Sequence, residues 1–166
     1  MSDHSEITSP AFVEGGVIPQ EFTGDGKNVS PPLSIVGVPE EAKSLVLIMD
    51  DVDAPTGVFT HWLLYDLYPG ITRLGPGCSP EGTFGKNTFG KEDYSGPSPN
   101  VGRHQYYFRV YALDSLLKLP LGTDRGKLDV AMKGRVLDSA ELMGTYARPF
   151  ENTQGLRLDK LGSNNE

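Results

Sequence analysis

Residues 44–50 are apolar almost without a break, running from Ser44 through Leu45, Val46, Leu47, Ile48 and Met49 to Asp50. A run of this length reads as a strand, and one without alternation reads as a central strand covered on both faces. Something must therefore pack on each side of it. Residues 104–113 add the second constraint, because they alternate. His104, Tyr106, Phe108, Val110 and Ala112 share one face, and Gln105, Tyr107, Arg109, Tyr111 and Leu113 the other. Residues 58–67 alternate as well, with Phe59, His61, Leu63 and Tyr65 set against Thr60, Trp62, Leu64 and Asp66. Residues 33–38 read as another strand, and residues 7–12 and 15–19 as short strands about a turn. Residues 83–84 and 87–89 read as small strands or packed loop. Helical spacing comes late: Leu128, Ala131 and Met132 follow an expected N-cap at Thr123, and Gly134 is expected to end that helix. Asp138 is a candidate cap for a second short helix through Glu141, and residues 143–150 read as a last strand or extended arm. The expected architecture is mainly β, two packed antiparallel sheets with short helices near the C-terminus. At 166 residues, a single domain over 1–150 and a polar, Asn-rich trailing segment over 151–166 are expected.

Charge and composition narrow the functional classes. A net charge of −7 argues against a broad nucleic-acid surface and against attraction to an anionic bilayer. Cys78 is the one cysteine, so no intrachain disulfide is possible. The start is polar and acidic, without a basic segment followed by an apolar one, and no run reaches the length of a membrane span. The expectation is a cytoplasmic chain. The turn Phe22-Thr23-Gly24-Asp25-Gly26-Lys27-Asn28 has the wrong acidic spacing for a calcium loop.

Three pieces carry chemistry. Asp51-Val52-Asp53-Ala54-Pro55 directly follows the apolar run, and Ala54–Pro55 is a candidate cis bond. His61 sits near the start of the second alternating strand. The loop Gly96-Pro97-Ser98-Pro99-Asn100-Val101-Gly102-Arg103 delivers His104 and Tyr106, two residues apart and so on one face, about 6–7 Å apart. Taken singly, each is an ordinary turn or strand residue. Together they suit a phosphate-type anion. Imidazole and phenol groups donate to its oxygens, Asp51 orients a histidine, and backbone N–H groups of the glycine loop add donors. Two His with one carboxylate is also the ligand set of non-haem iron enzymes. Against an enzyme stands the lack of a Gly-x-Ser-x-Gly or His-Glu-x-x-His motif.

These residues resemble the phosphatidylethanolamine-binding protein family, in its bacterial and archaeal Raf-kinase-inhibitor-like branch. The resemblance runs from about Ile7 to Arg148. It includes Phe22-Thr23, Asp25-Gly26, Ser30-Pro31-Pro32-Leu33, Asp51 to Pro55, His61-Trp62, Gly96-Pro97, Gly102, His104, Tyr106 and Gly144-Thr145-Tyr146. It implies a Greek-key-like fold of two antiparallel sheets with a small anion pocket. By position, Asp51, Pro55, His61, Gly96, Pro97, His104 and Tyr106 fall on that pocket. It further implies a non-catalytic binder of phosphate-bearing small molecules or phospholipid heads, with no cofactor, no metal and no catalytic residue. The alternative is an inhibitor or scaffold acting on a kinase or serine-type peptidase. Such a chain could also form a homodimer, although Trp62 reads as a core residue. Three departures bear on the pocket loops. Val52 stands where the family has a proline, Gln105 where it has an arginine, and Asn100 where the loop often has a proline.

Overall fold

The computed structural model describes residues 4–149, so the expectations for Phe150 and for residues 151–166 lie outside the described residues. Its strands are β1 (Glu6–Thr8), β2 (Leu33–Val36), β3 (Ser44–Asp51), β4 (Phe59–Leu67), β5 (Arg73–Leu74), β6 (Thr83–Phe84), β7 (His104–Leu113) and β8 (Val136–Tyr146). They form a three-stranded sheet, β1-β2-β5, and a five-stranded sheet, β6-β4-β3-β7-β8, with every pairing antiparallel.

The apolar run is the middle strand of the larger sheet, and every residue of β3 is buried. Its two faces are covered differently. Leu45, Leu47 and Met49 pack with Phe108, Val110 and Leu142 against Ile7, Leu33, Ile35 and Leu74 of the smaller sheet, with Phe12, Ile18 and Phe22 filling in. Val46 and Ile48, with Leu63, Tyr65 and Leu113, face the helix α1 (Arg125–Met132) through Leu128 and Met132. Each fully buried side chain of this size contributes roughly 1.5–3 kcal/mol. Two such residues hold the helix down, and Arg125 reaches past them to the buried Asp50 carboxylate at 2.5 Å. Arg109 approaches the other Asp50 oxygen at 3.3 Å, and the Thr60 hydroxyl donates to Asp50 at 2.8 Å. The buried charge is thus paired and hydrogen-bonded, the condition for leaving it there.

Several local expectations are corrected. Asp124, not Thr123, caps α1, accepting from the Lys127 N–H at 2.9 Å; the Thr123 hydroxyl turns back to the Pro120 carbonyl. The second helix does not form. Asp138 to Glu141 lie within β8, opposite Ala112 to Arg109, because a ten-residue partner strand offers more hydrogen bonds than one capped turn. Asp138 instead accepts from the Ser5 N–H at 2.7 Å. The strand expected over residues 33–38 stops at Val36, where Gly37 takes a φ of 78°. Residues 15–19 form no strand: Val17 makes an isolated parallel bridge to Thr145. The Ala54–Pro55 bond is trans, as are all peptide bonds among the described residues.

Candidate functional site

Antiparallel pairing puts the chemistry at one end of the large sheet. Asp51, the last residue of β3, pairs with Phe59 of β4 and with Tyr106 of β7. The end of the central strand and the starts of its two neighbours therefore coincide, and cross-strand partners share a face.

A β-bulge turns His61 into this corner. Met49 pairs with Trp62 and Asp50 with Thr60, so one residue of β3 faces two of β4, and His61 is the extra one. The alternation expected along residues 58–67 breaks here. Phe59 and His61 turn toward Tyr106, with the His61 and Tyr106 rings 5.5 Å apart. Beyond the bulge the order reverses: Trp62 and Leu64 enter the core between the sheets, and Leu63 and Tyr65 enter the core under the helix. A bulge cannot be seen in a list of alternating residues, because it is set by pairing across the sheet.

His104 lies 2.7 Å from Asp51, Nδ1 to Oδ2, and its Nε2 lies 3.1 Å from the Val101 carbonyl. Both ring nitrogens face acceptors. The remaining Asp51 oxygen accepts from the Asp53 N–H at 2.8 Å, and Asp53 accepts from the Gln105 N–H at 2.7 Å. Val52 donates its N–H to the Gln105 carbonyl at 3.2 Å, a bond that a proline there could not make. The acidic loop is thus clipped to β7 by hydrogen bonds although Val52 stands where the family has a rigid proline. Gln105 itself is exposed and does not line the cavity.

His61 is held from the other side. Its Nδ1 donates to the Ser95 carbonyl at 2.5 Å. Asn87, buried and not among the expected site residues, organises that contact: its amide donates to the His61 carbonyl at 3.2 Å and to the Ser95 hydroxyl at 3.1 Å. Burial holds the His61 pKa below its usual 6.5, although the Ser95 carbonyl and the charges of Asp51 and Asp50 pull the other way. Tyr106 is fully buried, and its hydroxyl is the one buried side-chain polar atom among the described residues with no hydrogen-bond partner. Burial first, then the Asp51 charge and the approach of the hydroxyl to the Asp51 carboxylate, keep that phenol protonated, although the approach falls short of hydrogen-bond geometry.

These groups surround a cavity of about 270 Å³. Asp51, Pro55, His61, His104 and Tyr106 all line it, together with Ala54, Phe59, Phe89, Ser98, Pro99, Asn100 and Val101. Gly96 and Pro97 do not. They are buried one layer back, where the Gly96 N–H donates to the Asn28 side chain at 2.7 Å and the Pro97 carbonyl accepts from Gly24 at 2.8 Å. Gly96 is needed there for space: a Cβ would lie 2.5 Å from the Phe22 carbonyl oxygen. The two residues anchor the loop whose next four residues reach the cavity. Phe59 and Phe89, which were not among the expected pocket residues, pack their rings edge-on at 4.7 Å as a wall. Among the described residues no three His, Cys, Asp or Glu side chains are set to hold a metal ion.

A sequence model of the family described as phosphatidylethanolamine-binding protein matches residues 8–147. The UPF0098 protein of Methanothermobacter thermautotrophicus is 47% identical over 148 residues, covering 86% of this chain and 98% of that one. The crystal structure of a phosphatidylethanolamine-binding protein homolog, CT736 of Chlamydia trachomatis, superposes with a TM-score of 0.86 at 41% identity, covering 89% of this chain and 99% of that one. YbcL of E. coli, described as a member of the mammalian family, superposes at 0.79 with 26% identity, covering 87% and 99%. The matched span takes in both sheets and every residue that lines the cavity, so the chain belongs to the phosphatidylethanolamine-binding protein family.

Proposed function

We propose that this protein is a non-catalytic binder of a small phosphate-type anion, free or as the head of a larger molecule. The observation that carries the reading is the Tyr106 hydroxyl, a buried donor without a partner on the wall of a cavity. A buried polar group left unsatisfied costs about 1–3 kcal/mol, and a ligand oxygen recovers it. A volume of about 270 Å³ is below the range of drug-sized sites and matches a phosphate group with a short attachment. The same hydrogen bonds support the non-catalytic reading. His104 is the imidazole paired with a carboxylate, the arrangement a general base would use, and both its nitrogens are committed within the protein. Its role is to fix Asp51 and the loop carbonyl in place.

Titration with inorganic phosphate and with phosphoethanolamine, following the imidazole resonances of His61 and His104, tests this. Both sets are expected to shift and saturate in the millimolar range. Resonances that stay put would mean that the cavity takes something else.

The alternative role, inhibition or scaffolding of a kinase or serine-type peptidase, draws on the cavity mouth. Val58 and Phe89 are at least half exposed beside it, and Val101 is 79% exposed. A protein partner that seats a phosphorylated side chain in the cavity would cover this apolar rim.

A further inference from the structure

We propose that Arg125, on the far side of the large sheet from the cavity, is the residue that positions His61 in it. Arg125 does so by locking the register between the end of β3 and the start of β4. Its bearing on binding rests on the reading of this cavity as an anion site.

Two registers are open to the start of β4, and they put different side chains in the cavity. If the pairing of Met49 with Trp62 ran on without interruption, Asp50 would face His61 and Asp51 would face Thr60. Cross-strand partners share a face. The Asp50 side chain points to the α1 side of the sheet, where Arg109 and Arg125 meet it. His61 would then turn under α1 beside Asp50, and Thr60 would take its place next to Asp51. The bulge prevents this by pairing Asp50 with Thr60. A bulge leaves one residue of the ladder unpaired, so something must favour it.

A closed triangle of hydrogen bonds favours it. The Thr60 hydroxyl donates to Asp50 Oδ1 at 2.8 Å and accepts from Arg125 Nη1 at 3.0 Å, and the same Arg125 nitrogen donates to Asp50 Oδ1 at 2.5 Å. Asp50 and Thr60 are both buried, Asp50 completely. In the uninterrupted register the hydroxyl would leave the triangle, and a bulky imidazole would have to fit between Asp50 and Arg125. Arg109 also reaches Asp50, at 3.3 Å, but its other partners are Glu141 and the Tyr107 ring, so it bridges nothing across to β4. The remaining ties on this part of β4 come from the loop on its outer side. Thr60 and Thr88 exchange two hydrogen bonds, and Ser95 and Asn87 hold His61. They tie β4 to that loop and leave its register against β3 to the triangle. Arg125 is in turn fixed by α1, whose Leu128 and Met132 are buried, and by Asp129 at 2.9 Å.

Ring-to-ring nuclear Overhauser effects on the full chain read the register without any ligand, since the His61 and Tyr106 ring centroids lie 5.5 Å apart. Thr60→Val keeps the side-chain shape and removes the hydroxyl, and Arg125→Met removes the bridge. In both, the His61–Tyr106 effect is expected to vanish, while the Phe12–Phe108 effect, across 5.8 Å in the core, persists as the sign of an intact fold. Arg109→Met takes a cation from Asp50 but leaves Thr60 bridged, so it should keep the His61–Tyr106 effect. Arg125→Lys, whose one nitrogen can stand where Nη1 stands, should restore it. Inorganic phosphate titrated into the same samples should bind about two- to tenfold more weakly to Thr60→Val than to wild type. A His61–Tyr106 effect of wild-type strength in Thr60→Val and Arg125→Met would overturn the proposal. So would its equal loss in Arg109→Met, which would make the neutralisation of Asp50 the cause. Wild-type protein that binds no phosphate would overturn the anion-site reading and leave the register measurement to decide this proposal alone. If Arg125→Met does not fold, Thr60→Val decides.

Discussion

Two residues of the cavity play opposite roles, and stability measurements tell them apart from binding. The Tyr106 hydroxyl has no partner in the free protein, so Tyr106→Phe removes a buried group that costs something to keep. Folding stability should be unchanged or raised by about 1 kcal/mol, while phosphate affinity falls roughly tenfold or more. Denaturant melts and titrations on the same sample check both signs. If Tyr106→Phe instead lost about 1 kcal/mol of stability, the hydroxyl would have a structural partner and the ligand argument would fail. His61 acts through pH. Its folded pKa lies below the 6.5 of the unfolded chain, so the unfolded state binds more protons as the pH drops through that value. Stability is therefore lost as the pH falls below about 6.5, and the loss levels off once the pH is below the folded value. His61→Gln, which cannot titrate, should flatten this part of the profile; the difference between urea midpoints at about pH 5 and pH 7.5 reads it.

At the scale of the elements, the sequence was legible where one strand decides its own pattern and illegible where two strands decide together. Residues 104–113 form β7 as expected, because strict alternation needs no neighbour to be recognised. The two-faced burial of residues 44–50 was likewise readable from its lack of polar positions. The convergence of Asp51, His61, His104 and Tyr106 followed from strand ends at one edge of the sheet. The reversal of faces after His61 did not follow, since it depends on Met49 pairing with Trp62 and Asp50 with Thr60. The Asp138 cap failed for the same reason: local capping chemistry was read without the ten-residue partner that outbids it. Gly96 and Pro97 lay within the right loop, but which of its residues touch the cavity is set by the anchors at Asn28 and Gly24. Gly144 gives a test at this scale. It pairs with Tyr106, and a Cβ there would lie 2.6 Å from Cγ1 of Ile18 and 2.8 Å from a ring carbon of Phe12. Both neighbours are core residues with little room to retreat. Gly144→Ala should cost about 1–3 kcal/mol through overpacking, read as a lower urea midpoint with an unchanged slope.

For the whole molecule the question is how a chain of net charge −7 would hold the anion proposed for it. Sites that rely on a positive field lose affinity steeply as salt screens that field. This cavity is built differently. The His104 ring is paired with Asp51 at 2.7 Å, burial disfavours the charged form of His61, and no lysine or arginine lines the wall. On the proposed reading short-range hydrogen bonds, that of the Tyr106 hydroxyl first, would hold the ligand, while the distant charges of the protein repel it. Screening acts mainly beyond about 10 Å at 0.1 M salt, so it weakens the repulsion and leaves the short contacts alone. Phosphate affinity should therefore stay level or rise severalfold as ionic strength increases, provided the added salt has a bulky anion that cannot enter the cavity. Calorimetric titrations at a low and a high concentration of such a salt measure it. A steep fall would mean that a positive field does the holding, and the hydrogen-bond account of the site would have to be abandoned in favour of charges elsewhere on the surface.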